Sequence, residues 1–222
     1  MKAILFGGTG MVGQGVLREL LIDPDVKQVL SVVRTPSGQP HPKLRELVHR
    51  DFFDFTPVAN EFAGYDACFF CLGATSAGKS EADYTRITYD ITIAAAEPLS
   101  RLNAGMTFVF ISGQGTDSSE QGRIMWARVK GRAENALLKM PFKAAYMFRP
   151  GLIQPMHGVR SRTALYRIPY MILSPLVPLL RRLFPQYVTT TEQLGRAMIE
   201  VAKHGWRSRV LESKDINAVI PS

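Results

Sequence analysis

The sequence is poor in the side chains that bind metals or carry out thiol chemistry. Its 222 residues include only two cysteines and four histidines. Cys68 and Cys71 have C-x-x-C spacing, but the apolar run 67–72 around them is typical of a central strand, in which residues three apart point to opposite faces. No paired ligand spacing relates the histidines, which are His41, His49, His157 and His204. We therefore predict no metal site and interpret both cysteines as buried apolar groups.

A targeting segment and a membrane span are also missing from the pattern. Met1 and Lys2 lead straight into a strand-like run without room for a signal peptide, so we expect a cytoplasmic protein. The uncharged apolar stretch 168–180 is too short to span a bilayer, and three prolines interrupt it. We interpret 166–184 as a lid or a subunit interface. The alternative is peripheral contact with an anionic membrane through Arg181 and Arg182.

The first sixteen residues contain the most specific motif of the chain. The apolar run 3–6 opens into a glycine-rich turn and then into a helical pattern. This order is typical of a dinucleotide-binding strand, turn and helix, in which the glycines allow a tight turn and a close approach to a pyrophosphate. The predicted cofactor-binding residues of this turn are Gly7, Thr9, Gly10, Met11, Val12 and Gly13.

Apolar runs alternate with helical patterns along the rest of the chain. Strands are predicted at 29–33, 47–50, 67–72, 107–111 and 144–148, with long helices at 81–96 and 126–138. A capping-box order from Thr189 to Glu192 predicts a final helix that ends at Ala202. The pattern predicts a single α/β domain over 1–222, a Rossmann-like three-layer α/β/α fold with a parallel sheet. We assign 152–190 to a small C-terminal substrate or lid region.

The residue that ends the second strand predicts which nicotinamide cofactor binds. A carboxylate there pairs with the ribose 2′-hydroxyl of NAD, whereas an arginine accommodates the 2′-phosphate of NADP. The residue is Arg34, so the sequence favours NADP(H) over NAD(H); a solvated strand end is the alternative. Asp51, followed by Phe52, is a candidate for the adenine amino group, although a turn aspartate is common at such a position.

Further along the chain, the sequence resembles the short-chain dehydrogenase/reductase superfamily. The glycine turn, Cys71-Leu72-Gly73-Ala74 and Arg149-Pro150-Gly151 occur in the order typical of that superfamily. Tyr84, Tyr89-Asp90, Val129-Lys130-Gly131 and Glu134 make it similar to the atypical Tat-interacting oxidoreductase-like branch, whose bacterial relatives are often labelled nucleoside-diphosphate-sugar epimerases. The resemblance covers nearly the whole chain. It implies a nicotinamide cofactor held partly by Cys71, Leu72, Gly73, Lys130, Arg149, Pro150 and Gly151.

The resemblance also implies a catalytic set, which is incomplete here. The superfamily uses a serine after the fifth strand and a Tyr-x-x-x-Lys pair on the next helix. Ser112 and Lys130 match, but Trp126 stands in the tyrosine position. Residues four apart share one helix face, so a lysine can lower the pKa of a tyrosine there. An indole only donates a hydrogen bond, so the usual proton relay is missing.

Three explanations of the missing tyrosine stay open. Another side chain donates the proton, with Tyr84, Tyr89 and His157 as candidates. Alternatively, the loop 113–123 places a different group over the nicotinamide. In the third explanation, the protein binds NADP(H) without turning it over, as regulatory members of this superfamily do.

Charge is distributed unevenly along the chain. Residues 123–209 carry 16 basic and three acidic side chains, whereas the formal net charge of the whole chain is +8. We therefore expect an anionic partner. Because the sequence has no recognisable nucleic-acid module, a phosphorylated cofactor and a small, anionic substrate are the expected partners, not nucleic acid. The sequence predicts an oxidoreductase or epimerase of a small carbonyl or sugar-nucleotide substrate. The alternative is a non-catalytic NADP-sensing or membrane-peripheral protein.

Overall fold

Seven parallel strands form the central sheet in the part of the chain that the structure describes. The computed structural model describes residues 1–38, 40–159 and 187–220. The spatial order of the strands is the third, second, first, fourth, fifth, sixth and ninth, and every neighbouring pair is parallel. The strands are β1 (Lys2–Phe6), β2 (Gln28–Val33), β3 (Leu44–Val48), β4 (Ala67–Phe70), β5 (Thr107–Ile111), β6 (Ala144–Arg149) and β9 (Val210–Glu212). A separate parallel pair joins β7 (Leu152–Gln154) to β8 (Val188–Thr190).

Helices cover both faces of this sheet. They are α1 (Met11–Ile22), α2 (Glu81–Thr85), α3 (Ile91–Leu102), α4 (Met125–Lys139), α5 (Thr191–His204) and α6 (Ser213–Val219). A short 3-10 helix spans Thr56–Phe62, and a π-helix, Arg86–Asp90, joins α2 to α3. No helix in the described ranges is long and apolar enough to cross a membrane.

The two faces of the sheet bury different side chains. On one face, Leu5 and Phe69 pack with Val16 of α1 and Leu194 of α5. On the other face, an aromatic cluster that includes Phe6, Phe70 and Phe108 packs against α3 and α4. This arrangement confirms the predicted Rossmann-like three-layer fold.

The strand order reverses beside β1. Strand β1 pairs with β2 on one side and with β4 on the other, so the crossovers that follow β1 and β4 leave in opposite directions. In open parallel sheets, ligands bind outside the carboxyl ends of the strands at such a reversal. The fold therefore places the candidate site where β1, β4 and β5 end.

The two cysteines lie as the strand pattern predicted. Cys68 is fully buried in the aromatic cluster, and Cys71 packs against the opposite core. Burial raises the pKa of both thiols, so neither is a reactive thiolate. The prediction that they point to opposite faces is confirmed.

Some predicted element boundaries were wrong. The third strand is Leu44–Val48, not 47–50, because its pairing with β2 runs from Val29 opposite Leu44 to Val33 opposite Val48. It lies at the sheet edge, where the charged residues Arg45 and Glu46 interrupt the apolar run from which strands were predicted. The helix predicted at 81–96 is divided by the π-helix and continues to Leu102, with Pro98 inside α3.

The C-terminal prediction also needs correction. Thr190, not Thr189, caps α5, because its side chain accepts a hydrogen bond from the Gln193 amide at 2.9 Å while Thr189 is buried on β8. Helix α5 continues to His204, and β9 and α6 follow it. Most of the predicted lid region 152–190 lies outside the described residues, and so do the apolar segment 166–184, Arg181 and Arg182.

Candidate functional site

The glycine turn after β1 forms the centre of the site. Gly7 has φ +81°, and its carbonyl accepts a hydrogen bond from the Gly10 amide at 2.9 Å. A Cβ at Gly7 would lie 2.7 Å from the Cys71 carbonyl carbon, and one at Gly13 would lie 2.0 Å from the Gly7 carbonyl oxygen. Both distances are too short for a side chain, so this turn requires glycine at both positions.

The N-terminus of α1 fits a phosphate group. Gly10 is the N-cap, and in this described helix no side chain caps the first turn and no acidic residue lies in it. The first amides of a helix carry partial positive charge and bind anions. A Cβ at Gly10 would meet only the Gly7 carbonyl oxygen, at 3.4 Å, so the backbone is open to a ligand. Thr9, Met11 and Val12 are half-buried around this opening.

A cleft of about 690 Å³ lies beside this turn; we call it the wide cleft. The sequence predicted five of its lining residues, which are Arg34, Asp51, Phe52, Leu72 and Gly73. The remaining lining residues were not assigned to the site from the sequence: Arg50, Phe53, Ala74, Lys79, Ile87 and Ile91. The only sequence signal for the last two was their place on the apolar face of a predicted helix.

The wide cleft combines apolar walls with a basic rim. Leu72, Ile87 and Ile91 offer apolar surface, while Arg34 and Arg50 are exposed cations. Such a cleft suits a flat heterocyclic ring that carries an anionic group. Asp51 lines the same cleft and also accepts a hydrogen bond from the Phe53 amide at 2.9 Å. Its position is thus compatible both with binding the adenine amino group and with being an ordinary turn aspartate.

An adjoining cleft of about 430 Å³ contains the predicted catalytic residues; we call it the polar cleft. Ala74 lines both clefts. The predicted residues Ser112, Lys130, Pro150 and Gly151 line the polar cleft, together with Ser76, Tyr84, Gly113, Gln114 and Trp126. Ser112 directly follows β5 and Lys130 lies on α4, so residues distant in sequence meet at the carboxyl edge of the sheet.

Lys130 and Ser112 are linked directly. The Lys130 ammonium donates to the Ser112 backbone carbonyl, and the Ser112 hydroxyl donates to the Phe148 carbonyl at 3.1 Å. Burial lowers the pKa of Lys130 to about 8, although the nearby Glu134 carboxylate partly offsets this effect. A lysine of this kind can change protonation state near neutral pH.

Trp126 lies in the polar cleft, on the first turn of α4. A Cβ at Gly115 would be 3.5 Å from the Cη2 atom of Trp126, so the indole packs beside the loop that follows β5. It lies four residues before Lys130, as the helical spacing predicted. The indole nitrogen is a hydrogen-bond donor only and does not transfer a proton in the useful pH range.

The structure brings one of the three candidate proton donors to this cleft. Tyr84 lines the polar cleft and is only 2% exposed. The ring of Tyr89 instead stacks under the Arg132 guanidinium, 4.4 Å from its carbon to the ring centroid. His157 pairs with Glu192 at 2.7 Å and lines a different cavity, beside Arg18.

Arg149, which the resemblance placed at the cofactor, makes structural contacts in this fold. Its guanidinium bonds both carboxylate oxygens of the fully buried Glu134, and it also donates to Glu212 at 3.2 Å and to the Ser118 hydroxyl at 2.6 Å. These bonds fix the end of β6. They position Pro150 and Gly151, which line the polar cleft, so Arg149 acts on the site through its neighbours.

Comparisons with known proteins agree with this geometry. Residues 7–142 match the NAD(P)H-binding family. The protein FMP52-1, mitochondrial, of Scheffersomyces stipitis is 28% identical over 156 residues, which cover 69% of this chain and 67% of that protein. Protein HTATIP2 of Rattus norvegicus is 26% identical over 155 residues, which cover 68% and 62%.

Solved structures share the fold. The dTDP-glucose 4,6-dehydratase DesIV of Streptomyces venezuelae, with NAD and TYD bound, superposes with a TM-score of 0.66 at 16% identity. The match covers 99% of this chain and 80% of that one. Because the family match spans more than half of the sequence and includes the glycine turn, Ser112 and Lys130, the chain belongs to the NAD(P)H-binding family and is a member of the atypical short-chain dehydrogenase/reductase superfamily.

Proposed function

We propose that this protein binds NADP(H) across both clefts and acts as an oxidoreductase on a small carbonyl compound or a sugar nucleotide. One observation supports the proposal above all: the helix N-terminus, the wide cleft and the polar cleft adjoin one another. The turn that leads into the open N-terminus of α1 approaches Leu72 closely at Gly7, and Leu72 lines the basic wide cleft. The wide cleft shares Ala74 with the polar cleft that contains Lys130. A dinucleotide needs an adenosine site and a reactive site with a phosphate site between them.

The basic rim supports NADP(H) over NAD(H). Arg34 follows β2 directly, and Arg50 and Lys79 line the same cleft. The 2′-phosphate that distinguishes NADP is an anion, and guanidinium groups bind phosphate with charge-assisted hydrogen bonds. The family match and the NAD-bound neighbour support a nicotinamide dinucleotide in general, whereas the preference for the phosphorylated form rests on these cations.

The residues of the polar cleft have different roles in the proposed reaction. When bound, a reduced nicotinamide supplies a hydride to the substrate carbonyl. Lys130 holds the nicotinamide ribose, and the Ser112 carbonyl orients the lysine. Once the Ser112 hydroxyl has rotated away from the Phe148 carbonyl, it orients the carbonyl group of the substrate. The reaction also requires a proton donor, and Trp126 cannot supply the proton.

Oxidation of NADPH in the presence of small aldehydes, ketones and a nucleotide-linked 4-keto sugar tests this proposal. Turnover by the wild-type protein, with loss of turnover in Lys130→Ala, is the expected result. A cooperative thermal unfolding transition in Lys130→Ala would show that the variant is folded, and calorimetry should show NADPH binding that is weakened but measurable. Tight NADPH binding without turnover of any of these compounds would contradict an oxidoreductase function.

That contradictory result would favour the second candidate, a non-catalytic NADP-sensing protein. Trp126 is the observation that favours it, because the side chain removes the superfamily's proton relay and leaves the cofactor site intact. A membrane-peripheral form of this candidate would use 166–184. Liposome co-sedimentation that is lost when Arg181 and Arg182 are changed to glutamate would support it.

The partners and the location remain proposals. We propose a small, anionic substrate and no nucleic-acid partner, because the excess of basic residues is matched by a phosphorylated cofactor and substrate. The cytoplasmic location predicted from the sequence stays a prediction. The name of the Scheffersomyces stipitis relative, which includes the word mitochondrial, does not fit it.

A further inference from the structure

We propose that Tyr84 is the proton donor of the polar cleft and replaces the tyrosine that Trp126 has displaced. This inference rests on the proposed oxidoreductase function. Tyr84 comes from α2, not from the catalytic helix α4, so the acid would reach the substrate from a different wall of the cleft.

The position of Tyr84 is fixed by contacts between α2 and α4. Glu81, one turn before Tyr84 on α2, accepts a hydrogen bond from Arg128 of α4 at 2.6 Å. Arg128 also donates to the Gly122 carbonyl at 2.5 Å, which ties the loop before α4 to the same point. Residues three apart share a helix face, so this ion pair holds the Tyr84 ring toward the helix that carries Lys130.

Both ends of α2 support the same placement. Ser80 caps the helix, and its hydroxyl accepts from the Asp83 amide at 3.1 Å and donates to the Asp83 carboxylate at 2.7 Å. The π-helix begins immediately after α2. Wide turns of this type are frequent at functional sites. Here Tyr84 lies on α2 and lines the polar cleft, whereas Tyr89, five residues later, lies within the π-helix and packs under Arg132.

Chemistry leaves few donors among the described residues that line the polar cleft. Serine hydroxyls, the Gln114 amide and the Trp126 indole do not titrate in the useful range. Tyr84 carries a phenolic O–H, which can donate a proton, and it lines the same cleft as Lys130. The Lys130 ammonium donates to the Ser112 carbonyl.

In the proposed step, one hydride and one proton are added across the substrate carbonyl. The carbonyl carbon gains hydride from the reduced nicotinamide, which is oxidised, and the carbon–oxygen π bond breaks. The phenolic O–H of Tyr84 breaks as its proton passes to the carbonyl oxygen, which gives an alcohol and a phenolate. Water returns a proton to the phenolate between turnovers, and the Lys130 ammonium stabilises the phenolate in the interval.

Comparison of Tyr84→Phe with Tyr89→Phe tests the inference. The phenylalanine at 84 keeps the ring and removes only the hydroxyl, so NADPH affinity should stay within about twofold while kcat falls by about 100-fold or more. Tyr89→Phe should keep the wild-type NADPH affinity and kcat, because the ring of Tyr89 packs against Arg132, away from the polar cleft. Unchanged kcat in Tyr84→Phe would overturn the inference and would assign the proton to Lys130 or water.

A second variant covers the case in which Tyr84→Phe fails to fold. Fluorotyrosine at position 84 keeps the shape and hydroxyl but makes the phenol more acidic. The alkaline limb of the kcat profile should then move to lower pH, and an unmoved limb would overturn the inference. Failure of the proposed function is a separate outcome: the wild-type protein would bind NADPH and reduce none of the carbonyl compounds, which would overturn both.

Discussion

At the scale of single residues, the charge on the rim of the wide cleft determines which cofactor is preferred. We predict that Arg34→Glu raises the Kd for NADPH about 10- to 100-fold, because it replaces a phosphate-binding cation with an anion. The Kd for NADH should change little, since its ribose has no 2′-phosphate. Calorimetric titration with both nucleotides measures the two values.

Arg101→Glu is the matched control for that charge reversal. Arg101 is exposed in the last turn of α3, and the change of net charge is the same. Its affinity for NADPH should equal that of the wild-type protein within about twofold. If Arg34→Glu and Arg101→Glu behave alike, Arg34 does not contact the 2′-phosphate.

The half-buried Lys130 predicts a pH dependence of stability. Lys130 has a pKa of about 8 in the folded protein and 10.5 as its ordinary value. Between these values the unfolded chain binds a proton that the folded chain does not, so stability increases with pH there. Relative to Lys130→Met, the free energy of unfolding of the wild-type protein should rise by about 3 kcal/mol from pH 7.5 to 10.5.

Urea unfolding at several pH values measures this difference. Lys139→Met provides the comparison, because Lys139 is exposed at the end of the same helix. Its stability curve should run parallel to that of the wild-type protein. A Lys130→Met curve that is also parallel would show that the lysine is solvated in the folded state.

At the scale of elements, the glycine turn is held by close backbone contacts. We predict that Gly13→Ala lowers the free energy of unfolding by more than about 2 kcal/mol and removes NADPH binding, because the new Cβ would meet the Gly7 carbonyl oxygen at 2.0 Å. Gly105→Ala is the control, since a Cβ there meets no atom within 4 Å. Thermal unfolding of both variants checks the prediction, and equal melting temperatures would contradict it.

Elements with strong local signals could be predicted from the sequence, whereas those that depend on distant partners could not. β5 has the predicted bounds because Phe108 to Ile111 form an uninterrupted apolar run that is almost wholly buried. β9 has only three residues and exists because Met147, Phe148 and Arg149 offer it hydrogen bonds. The π-helix left no mark in the spacing of apolar residues, so its effect on Tyr84 and Tyr89 could not be foreseen.

In the site as well, residues with a local sequence signal could be predicted, whereas residues placed by distant parts of the chain could not. Arg34 and Gly73 were found because each follows a predicted strand, and Lys130 was found from the Tyr-x-x-x-Lys spacing that the resemblance implies. Arg50 and Lys79 reach the wide cleft from loops that contain no motif. The ion pairs of Arg149 could not be predicted, since Glu134 lies 15 residues away and Glu212 lies 63 residues away.

At the scale of the whole molecule, this same ion-pair network joins α4, β6 and β9. We predict that Arg149→Met lowers the free energy of unfolding by about 3–5 kcal/mol, because it leaves the fully buried Glu134 carboxylate without its charged partner. Changing Glu134 to leucine as well should recover part of that loss. Urea unfolding of the single and double variants gives both values.

An exposed pair provides the matched control for the buried one. Arg45 and Glu61 pair at 2.5 Å, with both side chains about half exposed. Arg45→Met should cost less than about 1 kcal/mol, since water screens the pair. Similar losses for Arg45→Met and Arg149→Met would contradict the structural role given to Arg149.

The proposed function requires NADP(H) to lie across the two clefts with its nicotinamide beside Trp126. Titration of the wild-type protein and Trp126→Phe with NADPH and NADH, followed by tryptophan fluorescence and calorimetry, tests this placement. We predict that NADPH binds tightly and quenches the wild-type fluorescence, that NADH binds weakly, and that Trp126→Phe binds NADPH but loses the quenching. Absence of both quenching and binding heat with either nucleotide would rule out a dinucleotide site in these clefts.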